Sequence, residues 1–407
     1  MAIPVPAEPI TNLGQLRLTG TAAAGGVDTL IMSTPNGDLS AMYQDDELSL
    51  AQGWKLDEFG IFGDGDGSDA TFNPGATMAV RTTVDDGTTS APMCVLEGWT
   101  SETNNLNLVP PCCPYGGAFP AVVFWLSNNP GATSSCAGGT SIGDTHLTNF
   151  NGLFYDFQAS GDFLLAETNP DFIVQTRQKS GAPTWPNASV NKAVAMKLGP
   201  TRAAVCLDPT RLIIDGQPSD LAPDQSVTLP SGVHVARSSN VYLFTRPSGE
   251  NVRAEVNSPG YINVSVNVGA APQAKVYGLL GNANGDMSED DLATRNRIVL
   301  AQPLSFADLY HSYSDSWRAG RESLLSNLCG DRDVERSIPT TTFYAKDLDP
   351  RDYERARAVC TNAGITDETL LDACTIDVTV TGTRDAARVF ARTRPPRAEL
   401  RPEPPRR

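Results

Sequence analysis

The chain has 407 residues, of which 40% are hydrophobic and 19% are charged, and its formal net charge is −16. This composition is typical of a folded protein, and the length favours two domains with a smaller appendage. The negative charge argues against a large face that binds nucleic acid phosphates, and no apolar run reaches the roughly 18 residues of a transmembrane helix.

The cysteine content favours disulfide bonds and therefore an oxidising compartment. There are eight cysteines, none in a CxxC pair, and three histidines, which makes a thiolate-rich zinc site a poor interpretation. The start of the chain, MAIPVPAEPI, shows neither the basic region nor the apolar core of a signal peptide. We expect a secreted or cell-surface protein whose natural start differs from this one.

Residues 1–135 are predicted to form an all-β domain similar to a sandwich. Short β-branched and aromatic runs, such as TMAVRTTV and AVVFWLS, alternate with turns rich in Gly, Pro, Asn and Asp. The small, polar segment 128–141 is interpreted as a linker or long loop. Strand patterns resume at 150 and continue to about 317. The run INVSVNV alternates most cleanly, which predicts a strand with one buried face, and VHVARSSNVYLFTR predicts a hairpin.

The pattern becomes helical after Trp317. Asp349 is predicted as an N-cap with Pro350 at the first helical position, and DETLLDACTIDV is predicted as a second helix. A disulfide between Cys360 and Cys374 would tie the two helices together. The tail 392–407 has six Arg, five Pro and two Glu and is expected to be disordered and solvated.

Motifs for enzyme chemistry are weak. GTSIG matches the nucleophile-elbow pattern around Ser141, but no strand precedes it, no helix follows it, and few histidines could supply a base. The segment FGDGDGSDATF places Asp64 and Asp66 at alternate positions, and a polar turn explains it better than a cation site. The sequence therefore predicts a protein without a catalytic residue.

One stretch, GLLGNANGDMSEDDL, is a better cation candidate. Oxygen-bearing side chains alternate at 282, 284 and 286, and an acidic run ends at Asp291. Ca²⁺ takes six to eight oxygen ligands, including amides and carbonyls, but this loop lacks the glycine that an EF-hand requires. Spacing alone leaves a calcium site and a polar turn equally open.

Separated motifs resemble the von Willebrand factor type D domain. GDTHLTNFNGLFYDF is similar to that family's G-D-P-H-x-x-T-F-D-G-x-x-Y-x-F, and GLLGNANGDMSEDD is similar to its G-L-C-G-N-x-[ND]-G-x-x-x-[ND]-D. FADLYHSYSDSWRAG resembles the strand that closes the family's domain. The resemblance covers about 143–320. It implies a β-rich domain over 136–325, followed by a helical cysteine-containing segment at 326–391.

The resemblance also implies a bound Ca²⁺. The family's ligands fall on these positions: Asn151, Asn282, Asn284, Asp286, Asp290 and Asp291. The loop is one residue longer than in the family, so Glu289 could take one of the acidic places. Thr145 stands where the family has the Pro of its Asp-Pro bond, so we expect no self-cleavage after Asp144. His146 matches the family's histidine, and a packed or hydrogen-bonded structural role is expected for it.

Three functions remain open at this point. The leading hypothesis is a non-enzymatic, calcium-stabilised extracellular or surface module for adhesion or assembly, with other proteins, surface glycans or further copies of itself as partners. The alternative is a carbohydrate-binding or hydrolytic N-terminal domain. Its candidate binding or catalytic residues would be Asp64, Asp66, Glu97, Trp99 and Trp125. The third is an intracellular interaction protein, which the missing leader and the basic tail would suit.

Overall fold

The computed structural model describes the greater part of the chain. It describes residues 6–46, 49–53, 59–63, 68–85, 103–115, 121–129, 138–169, 171–223, 225–246, 250–258, 260–268, 276–283, 292–320, 323–330, 335–391, 393 and 395–405, without the side chains of 10, 11, 108–115 and 169. The chain divides into two compact units, one of 1–78, 96–108 and 126–130, the other of 79–95, 109–125 and 131–407. The domain boundaries after 135, 325 and 391 stay predictions.

The protein is mainly β. The strands are β1 Arg17–Thr21, β2 Val27–Thr34, β3 Gly37–Gln44, β4 Thr77–Thr83, β5 Asn107–Tyr115, β6 Ala121–Ser127, β7 Gly138–Ile142, β8 His146–Thr148, β9 Leu153–Asp156, β10 Gly161–Asn169, β11 Phe172–Gly181, β12 Trp185–Leu198, β13 Thr201–Cys206, β14 Arg211–Ile214, β15 Gln217–Ser219, β16 Gln225–Thr228, β17 His234–Ser238, β18 Val241–Thr245, β19 Asn251–Asn257, β20 Tyr261–Asn267 and β21 Ala398–Leu400.

The strands before residue 130 form two small sheets. Strands β1, β2 and β3 make an antiparallel meander, and β4, β6 and β5 make a three-stranded sheet in that order. The described part of the first 135 residues is thus built mainly of strands, as the turn-rich sequence predicts. Residues 138–141, expected to end a loop, already belong to β7.

Two larger sheets carry the main hydrophobic core. One has the order β10-β11-β12-β13-β14-β15, and the other has the order β16-β17-β18-β19-β20-β7-β8-β9-β21. Side chains from both meet in one buried cluster, among them Phe163, Met196, Phe244 and Val264. Removing this apolar surface from water is the principal stabilising contribution to the sandwich. The hairpin of β17 and β18 is the predicted one.

Strand β20 corrects one prediction. INVSVNV was expected to have one buried face, but both faces are buried: Ile262 and Val264 join the apolar core, and Asn263 and Asn267 are only 1% and 3% exposed on the other face. Alternation signals a polar face, but it cannot show that other polar groups cover that face. The Asn263 amide oxygen accepts a hydrogen bond from the backbone N–H of Gly143 at 2.9 Å, so this buried polar face leads to the site described below.

A helical segment follows the sheets. The α-helices are α1 Ser314–Trp317, α2 Leu324–Leu328, α3 Pro350–Asn362, α4 Glu368–Val380 and α5 Ala386–Phe390, and short 3-10 helices lie at Ile10–Gln15, Leu50–Gln52 and Ala345–Asp347. Asp349 caps α3 as predicted, because its carboxylate accepts the N–H of Arg351 at 2.9 Å. None of the described helices is long and apolar enough to cross a membrane.

Disulfides hold this helical segment in two places. Cys360 of α3 is bonded to Cys374 of α4, the pair expected from the sequence, and Cys206 of β13 is bonded to Cys329 beyond α2. The side chains of the remaining cysteines lie outside the description. The short loop of the first bond fixes one helix against the next. The second joins the last residue of β13, an inner strand of the six-stranded sheet, to a segment 123 residues later.

The segment expected to close the domain as a strand is helical instead. A π-helix at Asp308–Tyr313 runs directly into α1, and pairing with the sheet is limited to a bridge from Arg318 to Phe163. Leu309, Tyr313 and Trp317 recur four residues apart and are all buried, which is the spacing of one helix face. The strand prediction is wrong because it rested on resemblance rather than on this periodicity.

The prediction of a disordered tail is wrong for residues 395–405. Strand β21 pairs in parallel with β9, with Ala398 opposite Leu153 and Leu400 opposite Tyr155. Ala398 and Leu400 pack against the core, and Tyr344 donates its hydroxyl to the Pro402 carbonyl at 2.7 Å. Overall composition predicts disorder, but three alternating residues are enough to complete a sheet edge that is otherwise open.

Candidate functional site

The structure brings together the two described members of the predicted calcium site. Asn151 lies in the turn between β8 and β9, and Asn282 follows the turn at 278–281. The Asn151 side-chain amide donates to the Asn282 amide oxygen at 3.0 Å, across 131 residues of sequence. The other four predicted ligands, Asn284, Asp286, Asp290 and Asp291, lie outside the described residues. The site as a whole therefore stays a prediction.

Local hydrogen bonds explain how these asparagines meet. The Asn149 side-chain oxygen accepts the backbone N–H groups of Asn151 at 3.0 Å and Leu153 at 2.8 Å, which shapes the first turn. The Phe150 N–H donates to the Leu280 carbonyl at 3.0 Å, which ties that turn to the second one. Gly278 lies against the backbone of Leu165 so closely that a Cβ would not fit.

The donor chemistry of this pair fits a calcium ion. Amide oxygens are ordinary Ca²⁺ ligands, and Asn151 is only 3% exposed, so its amide is already withdrawn from water. The resemblance places an Asp of the family at position 151, and the Asn found here would lower the charge of such a site and therefore its affinity. Most of the negative charge would have to come from Asp290 and Asp291, because the resemblance implies that Asp286 binds through its backbone carbonyl.

A second group of functional side chains lies at the GDTH motif, and the sequence did not reveal it. Asp144, His146 and Asp377 are each at most 1% exposed, and their potential ligand atoms all lie within 4.8 Å of one another. His146 Nε2 is 2.5 Å from Asp144 Oδ1 and 3.9 Å from Asp377 Oδ1. On the other side of the ring, Nδ1 is 2.5 Å from Asp156 Oδ1. One imidazole is therefore surrounded by three carboxylates.

Three elements bring these groups together. His146 begins β8, Asp156 ends β9 directly opposite it, and Asp377 comes from helix α4. The Asp144 backbone N–H donates to Asp377 Oδ1 at 2.6 Å, which fixes the helix against the turn. Gly143 has a φ of +59°, and a Cβ at this position would overlap the Asp377 carboxylate. Only glycine allows this approach.

Aromatic rings complete the environment of His146. Its imidazole stacks on Phe154 with 5.6 Å between ring centroids, and Phe390 meets it edge-on at 5.7 Å. The ring is therefore held by packing on its faces and by carboxylates at both nitrogens. The expected structural role of His146, packed and hydrogen-bonded, agrees with this geometry. The sequence signal for Asp377 is weak, since it is only a single acid within the apolar helical run CTIDV.

Burial and charge act in opposite directions on the imidazole. Burial by itself lowers the pKa of His146, but the neighbouring carboxylates of Asp144 and Asp156 outweigh it and raise that pKa well above its usual value. Burial, with the Asp144 charge next, raises the pKa of Asp377 well above the usual value of a carboxyl group. In the metal-free protein, the cluster therefore holds protons more tightly than the same groups do in water.

Stability should consequently fall as the pH rises from 6 to 8.5, when a chelator keeps metal ions away. The raised pKa of His146 means that its stabilising contribution is complete below about pH 6.5, the unfolded value, and is lost as the pH rises through the folded value. Asp377 acts in the same direction, since its pKa is raised too. Melting temperatures measured at both pH values test this. His146→Gln should reduce the difference in melting temperature between pH 6 and pH 8.5, and the exposed control His311→Gln should retain it. Equal melting temperatures at the two pH values in the unmodified protein would contradict the expectation.

The residues proposed for enzyme or sugar chemistry are not supported. Ser141 is fully buried in β7, where its hydroxyl accepts a hydrogen bond from the Asn191 amide at 2.9 Å, so no elbow exposes it. Trp125 is only 1% exposed, so the suggestion that its face stacks on a sugar is wrong. Other members of that hypothesis, Asp64, Asp66, Glu97 and Trp99, lie outside the described residues.

Comparison with known proteins agrees with the motifs. Residues 139–298 match the von Willebrand factor type D domain. Mucin-6 of Mus musculus is 28% identical over 199 residues, which amount to 46% of this chain and 6% of the mouse protein. The chain thus carries a von Willebrand factor type D domain. It spans only a small fraction of the length of the mucin that it matches.

Proposed function

We propose that this protein is a calcium-stabilised extracellular module for adhesion or assembly, and not an enzyme. The observation that carries the proposal is the contact between Asn151 and Asn282, 131 residues apart, inside the matched domain. The resemblance assigns both residues to one calcium site. A cation at this point would join two turns that hydrogen bonds already hold side by side.

Two further observations support an extracellular setting. The two disulfides among the described residues are characteristic of oxidising compartments. Similarity to part of a mucin supports a secreted or cell-surface location, with other proteins, surface glycans or a second copy of the chain as partners. An intracellular interaction protein is less well supported, because the basic tail that suggested it is partly held as β21.

Calcium should raise the melting temperature of the intact protein. A ligand at 100 times its dissociation constant stabilises the folded state by about 2.7 kcal/mol, which corresponds to about 5–10 °C for a domain of this size. The measurement is thermal unfolding in EDTA and then in millimolar Ca²⁺. Magnesium at the same concentration should give a smaller shift, because Mg²⁺ demands a tighter octahedral shell.

Two variants locate the effect. Asp291→Ala removes a proposed ligand and should abolish most of the shift. Asp352→Ala removes a partly exposed carboxylate from α3, far along the chain, and should keep the full shift. If calcium leaves the unmodified protein unchanged, the calcium part of the proposal is lost, and the domain is then a scaffold that needs no ion.

A further inference from the structure

We propose that Asp144, His146 and Asp377 bind one divalent transition-metal ion, for which Zn²⁺ is the best match, and that this ion fastens helix α4 to the turn before β8. The site is separate from the proposed calcium loop and shares no residue with it. Its donors are one imidazole nitrogen and two carboxylates, a mixture that suits Zn²⁺ better than Ca²⁺, which prefers a shell made entirely of oxygen.

The distances allow a metal ion after a small adjustment. Zinc bonds to nitrogen and carboxylate oxygen are about 2.0–2.2 Å long, so two donors of a tetrahedral site lie about 3.4 Å apart. His146 Nε2 lies 2.5 Å from Asp144 Oδ1 and 3.9 Å from Asp377 Oδ1, which brackets that value. The ligand atoms of Asp144 and Asp377 also lie within 4.8 Å of each other, so small side-chain shifts would place both carboxylate oxygens and the nitrogen around one ion.

Unsatisfied atoms point to a missing partner. Both carboxylate oxygens of Asp144 and Nε2 of His146 are buried and make no hydrogen bond of acceptable geometry. The short distance between Asp144 Oδ1 and Nε2 brings the two atoms together without aligning a donor with an acceptor. Leaving buried polar atoms unsatisfied is unfavourable, and more so for charged groups. A cation between the two residues would satisfy Nε2 and one oxygen of Asp144.

The contacts that hold the His146 ring resemble those of a histidine that binds a metal ion. Nδ1 of His146 faces Asp156 Oδ1 at 2.5 Å, so the ring can donate its Nδ1 proton to that carboxylate and present Nε2 to the ion. Histidines that bind metals usually have such a carboxylate partner, which fixes the tautomer and the direction of the ring. Packing by Phe154 and Phe390 restrains the ring further.

Charge supports a cation as well. Three carboxylates surround a single imidazole, and no lysine or arginine among the residues that the structure describes forms an ion pair with Asp144, Asp156 or Asp377. A protonated His146 balances only one of these negative charges, and uncompensated buried negative charge is strongly unfavourable. A divalent ion would neutralise the two carboxylates that face it and leave the third bonded to the imidazole.

Burial assigns the ion a structural role. Three protein donors with an open position are the pattern of catalytic zinc, but Asp144, His146 and Asp377 are at most 1% exposed, which does not suit the binding of a substrate to the ion. The ion would instead link two elements, since Asp144 and His146 flank the start of β8 whereas Asp377 lies 231 residues beyond His146 on α4. Helix α4 itself is cross-linked to α3 by the Cys360–Cys374 disulfide.

Cobalt binding to the full chain tests the proposal. The protein is purified without a histidine tag, stripped with a chelator and titrated with Co²⁺ while excess Ca²⁺ occupies any oxygen-rich site. We expect one equivalent of Co²⁺ with the visible absorption of a low-coordinate ion, and displacement by Zn²⁺. Zn²⁺ should also raise the melting temperature beyond its value in Ca²⁺ alone.

Variants of the same protein identify the ligands. Asp377→Asn should weaken metal binding at least tenfold. Asp156→Asn should weaken it about 10- to 100-fold, because the imidazole of His146 loses the carboxylate that orients it. His234→Gln should leave metal binding unchanged. If the Asp variants fail to fold, X-ray absorption of the zinc-loaded unmodified protein decides, and it should show one imidazole and otherwise oxygen donors. The proposal would be overturned if the protein bound no Co²⁺, or if Asp377→Asn did not weaken the binding. It would also be overturned if His234→Gln lost the binding, or if the X-ray absorption spectrum showed no imidazole.

Discussion

Gly143→Ala is expected to lower the free energy of unfolding by about 3–5 kcal/mol, because three costs add. A φ of +59° is unfavourable for any residue with a Cβ. The added methyl group would overlap the Asp377 carboxylate, which is buried and would have to be displaced. Displacing that carboxylate would also break its hydrogen bond with the Asp144 N–H. Chemical denaturation of both proteins measures the difference.

Gly216→Ala is the matched control for this substitution. Gly216 also has a positive φ, +80°, but a Cβ there would meet nothing within 4 Å. It should therefore show only the conformational cost, about 1–2 kcal/mol. The excess loss in Gly143→Ala measures the approach of α4 to the turn before β8. Equal losses in the two variants would mean that α4 does not pack against Gly143 in solution.

Removing the Cys206–Cys329 disulfide should be more damaging than removing Cys360–Cys374. The first bond closes a loop with a sequence separation of 123 and the second a loop with a separation of 14. In the chain-entropy description, these loops correspond to losses of about 5 and about 3 kcal/mol. The longer loop loses more because its unfolded chain regains more freedom.

Paired Cys→Ala variants test this order, and each pair serves as the control for the other. Replacing both cysteines of a bond avoids a free buried thiol, and alanine avoids a new polar group. The free energy of unfolding should fall in both variants and fall further without Cys206–Cys329. A larger loss in the variant without Cys360–Cys374 would show that the link between α3 and α4, rather than unfolded-chain entropy, dominates the stability of this region.

Local patterns in the sequence predicted much of the architecture. Turn-bounded β-branched runs indicated a β-rich protein, Asp349 and Pro350 marked the start of α3, and the two short motifs identified the von Willebrand factor type D domain. Such signals depend only on residues that are close in sequence, so they can be interpreted without knowledge of the fold. The pairing of Asn151 with Asn282 could also be anticipated, but only through the resemblance.

Long-range packing decided the rest. Asp377 reaches His146 only because α4 lies on the turn before β8, and nothing near Asp377 in sequence indicates that partner. The second buried face of β20 and the pairing of β21 with β9 have the same origin. The sequence by itself determined the class of fold and the family of the central domain, since periodicity and motif spacing are local. The tertiary structure alone decided which buried charges meet, because burial and proximity arise when distant segments pack together.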